Sequence, residues 1–307
     1  MAKAKEITGL DCSANAVDWA AQVLRVRFEE VCELRDGALD FSEVEGVHAM
    51  RVATRRLRGA LRNFQPLLQK HPLRQTKEEL KTIARTLGAV RDEDVAIMAL
   101  EELLGEAPTE QINEGIEIFL NERRATRDNA RFDLTKALDA SKLYLLQANF
   151  SDSIKPRKQK HLSEVSFNEA GRLAVRDSLN EFCKLGSALY APCAVTKLHE
   201  MRIAAKELRY AVELFTNCWG DKIEPFAEQI ARMQDALGKV HDCDVWSESL
   251  GKRLRNNRET EIQGSIWLLS KFTKKRTAGY RDALKIWSRW QASDFERSML
   301  AVVDSAA

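Results

Sequence analysis

The chain has 307 residues, of which 44% are hydrophobic and 31% charged, with only 14 glycines and 6 prolines. This composition is typical of long solvated helices around a real core, and it predicts an all-α fold. The 48 basic and 46 acidic side chains leave a formal net charge of only +2, which excludes an anion site made by bulk charge, so any basic site must come from the placement of cations.

Helical periodicity predicts five helices in each half of the chain. In the first half they span 14–36, 44–69, 73–87, a fourth that begins at the aspartate after Gly88, and 109–147. In the second half they span 166–190, 197–218, 222–237, a fourth after Gly238, and 257–290. Ser42 and Glu45 fit a capping box for the second helix. Antiparallel helices with short connections predict two packed bundles of the four-helix type.

The cysteines and the apolar segments restrict the class of protein further. Six cysteines are scattered without a C-x-x-C pair, which excludes a zinc ribbon and makes us expect mostly reduced, buried thiols rather than a disulfide scaffold. No apolar run is long enough for a signal peptide or a membrane span. We therefore expect a soluble, cytoplasmic protein with no membrane partner.

An internal repeat is the most informative feature of the sequence. Residues 47–58 return as 198–209 with an offset of 151, and residues 87–95 return as 237–245 with an offset of 150. Weaker matches place Arg25 on Arg176, Arg124 on Lys274, and Arg131 on Arg281. A shared offset, constant to within one residue, predicts a duplication, with repeats at 10–150 and 162–305 and a polar linker at 151–161.

The second helix of each repeat carries a row of cations. Spacings of 3, 4, 3 and 4 hold five side chains of the first copy within a sector of about 80° and a length of about 20 Å. We call them the first ridge: His48, Arg51, Arg55, Arg58 and Arg62. The second ridge consists of His199, Arg202, Lys206 and Arg209, with Glu213 where Arg62 would be repeated.

A row of like charges needs a partner, because cations at i,i+4 repel one another. Arginine offers five donors in a planar fork that matches phosphate oxygens, and histidine adds a donor that can become charged near neutral pH. The alternative is a solvated face that pairs with acidic residues of a neighbouring helix. The retained charge at matched positions of both copies favours a polyanion-binding surface.

Two pairs of aspartates form the second repeated pattern: Asp92, Asp94, Asp242 and Asp244. An aspartate after a glycine-containing break is typical of a helix cap, so we interpret them as caps that also orient ridge arginines. Metal ligation together with His199 and His241 is the alternative, but nothing in the spacing requires it. No glycine-rich phosphate loop or nucleophile elbow is present in the sequence.

The two H-x-x-R-[VI]-A-x-[RK]-x-L-R helices and the two L-G-x-V-[RH]-D-x-D-V segments resemble the CHAD family, named for conserved histidines in an α-helical domain. The resemblance covers the chain from about residue 10 to 300. It implies two pseudo-symmetric four-helix bundles whose basic faces line a central cleft, and it implies binding of inorganic polyphosphate. Some members of the family are associated with polyhydroxyalkanoate granules.

The resemblance implies polyphosphate binding by the second ridge and by His48, Arg51, Arg55 and Arg58 of the first ridge. Arg62 is a candidate because its spacing continues the first ridge. Second-rank candidates are Arg25, Arg176, Arg124, Lys274, Arg131 and Arg281. We expect no catalytic residue, no cofactor and no metal ligand. The alternatives are a metal-dependent polyphosphate or phosphate hydrolase, which would need the four aspartates as ligands, and a nucleic-acid-binding protein, which would need aromatic or amide side chains among the cations.

Overall fold

A computed structural model describes residues 4–69, 71–155, 165–255 and 259–305, and these residues confirm the all-α prediction. The helices are α1 (Ala16–Glu33), α2 (Arg35–Leu39), α3 (Val44–Asn63), α4 (Arg74–Leu104), α5 (Glu110–Ala137), α6 (Ala140–Ser153), α7 (Phe167–Lys184), α8 (Val195–Phe215), α9 (Glu224–Arg255), α10 (Glu259–Ala292) and α11 (Phe295–Ser305). Short 3₁₀ turns at Gly186–Tyr190, Thr216–Cys218 and Gly220–Lys222 flank α8.

The chain divides into two compact units. The first unit takes in the described residues of Met1–Glu102 and Phe119–Ala170, and the second those of Leu103–Ile118 and Gly171–Ala307. The predicted linker at 151–161 lies mostly outside the described residues, and its first three residues continue α6. The repeats at 10–150 and 162–305 stay a prediction from the sequence.

In the first unit, α1 supplies one side of the core and packs on α3 and α6. The helix begins at Asn15, whose side-chain oxygen accepts hydrogen bonds from the amides of Val17 and Asp18. Phe28 is 1% exposed, and its ring lies 4.7 Å from that of Phe150 on α6. Truncation of such a buried phenylalanine to alanine costs about 3–5 kcal/mol, so this contact holds α1 and α6 together.

α3 presents an apolar side to this core and begins without the predicted capping box. Met50, Ala53 and Leu57 are fully buried, as the helical spacing of apolar residues requires. The N-cap residue is Glu43, and no side chain caps the helix. The capping-box prediction is wrong because the Ser42 hydroxyl instead donates to Asp40 and closes the preceding turn.

α4 and α9 run without interruption through Gly88 and Gly238, so the predicted breaks at these glycines are wrong. A glycine inside a helix costs roughly 1 kcal/mol relative to alanine. Buried residues on both sides of Gly88, such as Leu87 and Val90, pack well enough to outweigh that cost. In contrast, the predicted helix at 109–147 is two helices, because Asp139 caps the start of α6.

The second unit is built on α8, α9 and α10, which pack against one another. Aromatic rings pack together at the end of α10. The ring of Phe182 lies edge-on to that of Trp290, with 5.6 Å between centroids, and Trp290 stacks on Phe295, with 3.9 Å between centroids. Such ring pairs contribute about 0.5–1.5 kcal/mol beyond the area they bury. These contacts fix α7, α10 and α11 relative to one another within the unit.

The cysteines only partly follow the expectation of reduced thiols. Cys32, Cys183, Cys193 and Cys243 are free, whereas Cys12 and Cys218 are disulfide-bonded. Burial raises the pKa of the Cys32 and Cys243 thiols to about 11, so both are protonated at neutral pH. These two thiols are therefore unreactive packing groups.

Candidate functional site

The first ridge follows one side of α3, away from the buried side. His48, Arg51 and Arg55 are half-buried, while Arg58 and Arg62 near the end of the helix are exposed. Every core-facing position between them is apolar or small, so α3 separates a packed side from a cationic side. This row lies in the first unit.

Each ridge contacts an aspartate at the same point of its register. Arg51 lies 3.5 Å from Asp92 on α4, and Arg202 lies 4.0 Å from Asp242 on α9. The interpretation of these aspartates as caps is wrong, since both lie inside continuous helices, but their contacts with ridge arginines agree with an orienting role. The two aspartate side chains are 72% and 64% exposed, so both ion pairs are weak surface pairs that a stronger anion can displace.

His48 is held neutral beside the arginines. Burial lowers its pKa, and the positive charge of Arg91 lowers it further, with smaller effects from Arg51 and Arg55. Its Nδ1 atom is buried and has no hydrogen-bond partner among the described residues. At pH 7 the ring is therefore an uncharged group within a cationic row, and an approaching anion would favour its protonation.

The second unit places two histidines together where the first has His48 and Arg91. The Nδ1 atoms of His199 and His241 are 3.1 Å apart, and the ring centroids are 4.3 Å apart. One ring nitrogen must donate and the other accept, so at least one ring is neutral. Burial lowers the pKa of His241 to about 4, with a further contribution from Arg202 and then His199. The sequence suggests His241 only as a metal ligand, although its match to Arg91 in the repeat is a signal that it accompanies the ridge.

The inner aspartates of the repeated pattern hold arginines of the neighbouring long helix. Asp94 is 2% exposed and lies 3.9 Å from both Arg127 and Arg131 on α5. Burial raises the pKa of this carboxyl, and the two arginines offset part of the effect. In the second unit, Asp244 accepts a 2.5 Å hydrogen bond from Arg276 on α10. No sequence motif indicates Arg127 or Arg276, because their role depends on contact with another helix.

The other predicted binding residues differ in exposure and in their ion-pair partners. Arg209 is buried and donates to Glu213 at 2.7 Å, so it does not project as an open cation. Arg124 pairs with Glu101 at 2.8 Å, and Arg176 pairs with Asp304 at 2.6 Å. Lys206 is half-buried, and the remaining candidates Arg25, Lys274 and Arg281 are exposed on α1 and α10.

These residues present guanidinium, ammonium and imidazole groups, which are groups of the kind that can bind anions. Within the described ranges, no group of three or more His, Cys, Asp or Glu residues is placed to hold a metal ion. The four aspartates instead lie beside arginines, weakly paired at Asp92 and Asp242 and closely packed at Asp94 and Asp244. No helix of the described parts combines the length and the apolarity needed to cross a bilayer.

Together these features define an all-α helical-bundle protein in which two helices each carry a row of cations. The CHAD domain model matches residues 22–251, and the chain belongs to the CHAD domain family. A crystal structure of the CHAD domain from the plant Ricinus communis is similar, with a TM-score of 0.67, 19% identity, and coverage of 100% of this chain and 96% of that chain. PptA from Streptomyces chartreusis is also similar, with a TM-score of 0.67, 16% identity, and coverage of 90% of this chain and 100% of that chain. At these identities the two structures support the fold alone. No curated protein matches the chain.

Proposed function

We propose that the chain binds inorganic polyphosphate through the first and second ridges and performs no chemistry on it. The CHAD family is linked in general to polyphosphate binding. The observation that carries the proposal for this chain is the position of the ridge cations. Arg51 and Arg202 face only weakly paired, exposed aspartates, and the first ridge extends beyond Arg51 to two exposed arginines.

A linear polyphosphate suits these ridges because its negative charges repeat along the chain. The first ridge spans about 21 Å, at 1.5 Å per helical residue, so several phosphate groups can lie beside it. Arginine forks donate to phosphate oxygens, and the displaced counterions make binding favourable at low salt. That the two ridges line one cleft stays a prediction from the sequence.

The surroundings of the four aspartates support binding rather than hydrolysis. A metal-dependent phosphohydrolase needs carboxylates directed at a divalent ion beside the phosphate. Here Asp92 and Asp242 contact ridge arginines, while Asp94 and Asp244 lie against arginines of α5 and α10. These carboxylates position cations, so the alternative of a hydrolase is less well supported.

A nucleic-acid function would use the same cations but would also need groups that stack on bases or read them. Between His48 and Arg62, and between His199 and Arg209, the sequence has no aromatic or amide side chain besides the histidines. The ridges therefore offer groups that can recognise the repeated negative charge of a polyanion but none that can read bases. We propose polyphosphate rather than RNA or DNA as the partner.

A direct titration tests the proposal. Purified protein is titrated with long-chain polyphosphate at low and moderate salt, beside RNA of equal total charge. We expect tight, salt-sensitive polyphosphate binding that RNA does not match. Equal affinity for RNA would transfer the function to nucleic acid, and an absence of binding to both would refute an anion-binding role for the ridges.

The cellular setting is part of the same proposal. We infer that the protein is cytoplasmic. Polyphosphate granules and polyhydroxyalkanoate granules are the cellular partners to test. The free thiols favour a reducing compartment, whereas the disulfide-bonded Cys12 and Cys218 do not. Fractionation of cells followed by detection of the protein on isolated granules decides this point.

A further inference from the structure

A cationic groove lies where the first ridge ends. It has a volume of about 240 Å³ and is formed by the last turns of α3 and the first turns of α4. Arg58 and Arg62 of the ridge contribute to it from α3, and Lys77 and Lys81 contribute from α4. The two lysines belong to no motif of the sequence analysis, because they are 15 or more residues away from the ridge along the chain.

We propose that this groove is a further phosphate subsite, with Lys77 and Lys81 binding a condensed-phosphate group that continues past Arg58. The inference rests on the proposed function of the first ridge and extends its contacts. The ligand class is an inorganic phosphate chain, recognised by charge and by oxygen acceptors.

The charge balance of the groove favours an anion. Its lining includes four cations and a single carboxylate, that of Glu78. Glu78 lies 3.5 Å from Lys81, and both side chains are about two-thirds exposed, so this pair is weak and leaves Lys81 able to turn to another anion. Buried Leu61 and Leu80 line the groove as well, and the aliphatic stems of the lysines can rest on such apolar atoms.

The position of the groove makes it continuous with the ridge. Arg58 and Arg62 belong to both, so a phosphate chain that follows α3 from His48 reaches the groove without leaving the row of cations. From Arg55 to Arg62 the helix advances about 10 Å, which brings the chain directly to the start of α4. The groove therefore adds contacts at one end of the same linear ligand.

The second unit keeps only one of the four corresponding cations. With the offset of 151 for the ridge, Arg62 matches Glu213, and with the offset of 150 that matches α4 to α9, Lys77 and Lys81 match Ala227 and Ala231. The remaining cation, Arg209, is buried and bound to Glu213. The subsite is thus specific to the first unit, and we expect that unit to bind polyphosphate more tightly.

Removal of the two ammonium groups tests the subsite without changes to the ridge. We expect Lys77→Ala and Lys81→Ala each to weaken polyphosphate binding about fivefold, as for a lysine near an anionic surface, and the double variant to reduce the log–log salt slope by about 2. Lys142→Ala is the matched control, because it removes an exposed cation of the same unit that does not line the groove. Circular dichroism checks that all four variants keep their helices.

Lysine footprinting separates the failure of the subsite from the failure of the proposed function. Protein is treated with an amine-reactive reagent in the presence of tripolyphosphate or long-chain polyphosphate, and modification is measured by peptide mass spectrometry. We expect protection of Lys77 and Lys81 but not of Lys142. If long-chain polyphosphate binds while both lysines stay reactive and the double variant behaves like the control, the subsite is wrong and the proposed function stands. If long-chain polyphosphate does not bind, the proposed function fails, and protection by tripolyphosphate then decides whether the groove binds condensed phosphate.

Discussion

At the scale of single residues, the first arginine of each ridge contacts an aspartate and is also partly exposed to solvent. Arg51 and Asp92 are 3.5 Å apart, and Arg202 and Asp242 are 4.0 Å apart, at matched positions of the two units. Under the proposed function, a polyanion would compete with the aspartate for the same guanidinium group. We therefore expect the aspartate to orient the arginine in the free protein and to lower its affinity for phosphate.

This competition predicts opposite effects of two neighbouring substitutions. Arg51→Ala should weaken polyphosphate binding by about tenfold and lower the salt slope by about 1, since one phosphate contact is lost. Asp92→Asn should strengthen binding about two- to fivefold, because the amide no longer neutralises Arg51. Arg202→Ala and Asp242→Asn provide the same comparison in the second unit. If aspartate and arginine variants both weaken binding, the aspartates are needed for the site rather than competitors.

The half-buried His241 of the second unit makes stability depend on pH. The pKa of His241 is about 4 in the folded chain, against an ordinary value of 6.5, so the unfolded chain binds its proton first as pH falls. Its contribution to stability is present above pH 6.5 and is lost progressively between pH 6.5 and about 4. We expect His241→Gln to reduce the loss of unfolding free energy between pH 7 and pH 5 in urea titrations. His71→Gln, at an exposed histidine, is the control. An unchanged pH dependence in His241→Gln would contradict this assignment.

Bound polyphosphate should raise the lowered pKa of His48, because an anion favours the charged form of a nearby histidine. Burial and Arg91 lower the pKa of His48 in the free protein, and an anion bound beside the ridge would raise that pKa again. We expect the affinity for polyphosphate to rise as pH falls from 7.5 to 6, and His48→Gln to flatten that rise. Calorimetric titrations in two buffers of different ionisation enthalpy measure the proton uptake directly. An equal pH dependence in the variant would exclude His48 as the group involved.

At the scale of the helix, the continuity of α4 and α9 shows packing that overrides local propensity. Gly88 and Gly238 lie in open positions where a Cβ atom would meet nothing within 4 Å. Gly88→Ala and Gly238→Ala should each stabilise the protein by about 0.5–1 kcal/mol, because alanine loses less backbone freedom in a helix. The midpoint of urea unfolding measures this gain. A loss of stability would mean that a contact at these positions requires glycine.

Gly171 in α7 provides the opposite case. A Cβ atom there would lie 2.7 Å from the ring of Phe215, which is fully buried at the end of α8. Gly171→Ala should therefore destabilise the protein by about 1–3 kcal/mol through overpacking. A gain like that of Gly88→Ala would show that α7 and α8 can move apart.

At the scale of the whole molecule, a net charge of +2 makes the placement of cations decisive. General attraction to any polyanion is weak for such a chain, so binding should depend on the ridges and fall steeply with salt. The same view predicts no turnover: polyphosphate incubated with the protein and Mg²⁺ or Mn²⁺ should release no phosphate above the rate without protein. Sustained phosphate release that Asp94→Asn or Asp244→Asn abolishes would establish the hydrolase alternative.

The sequence by itself determined the all-α fold, the family motifs and the two rows of cations. These features depend on helical periodicity, which relates residues three or four positions apart, and on motifs that recur at a constant offset. The spacing alone was enough to predict that the cations of the first ridge share one side of a helix. Local sequence was misleading at Gly88 and Gly238, where a residue of low helix propensity lies within a well-packed helix.

Only the tertiary structure decided which of these cations have partners. His199 meets His241 across 42 positions of the chain, and Asp94 meets Arg127 and Arg131 across more than 30. The burial of Arg209 and the groove between α3 and α4 likewise depend on how neighbouring helices pack. Contacts of this kind arise from the packing of buried faces, which periodicity alone cannot place, because the rotation and offset of one helix against another are set by all the side chains at the interface.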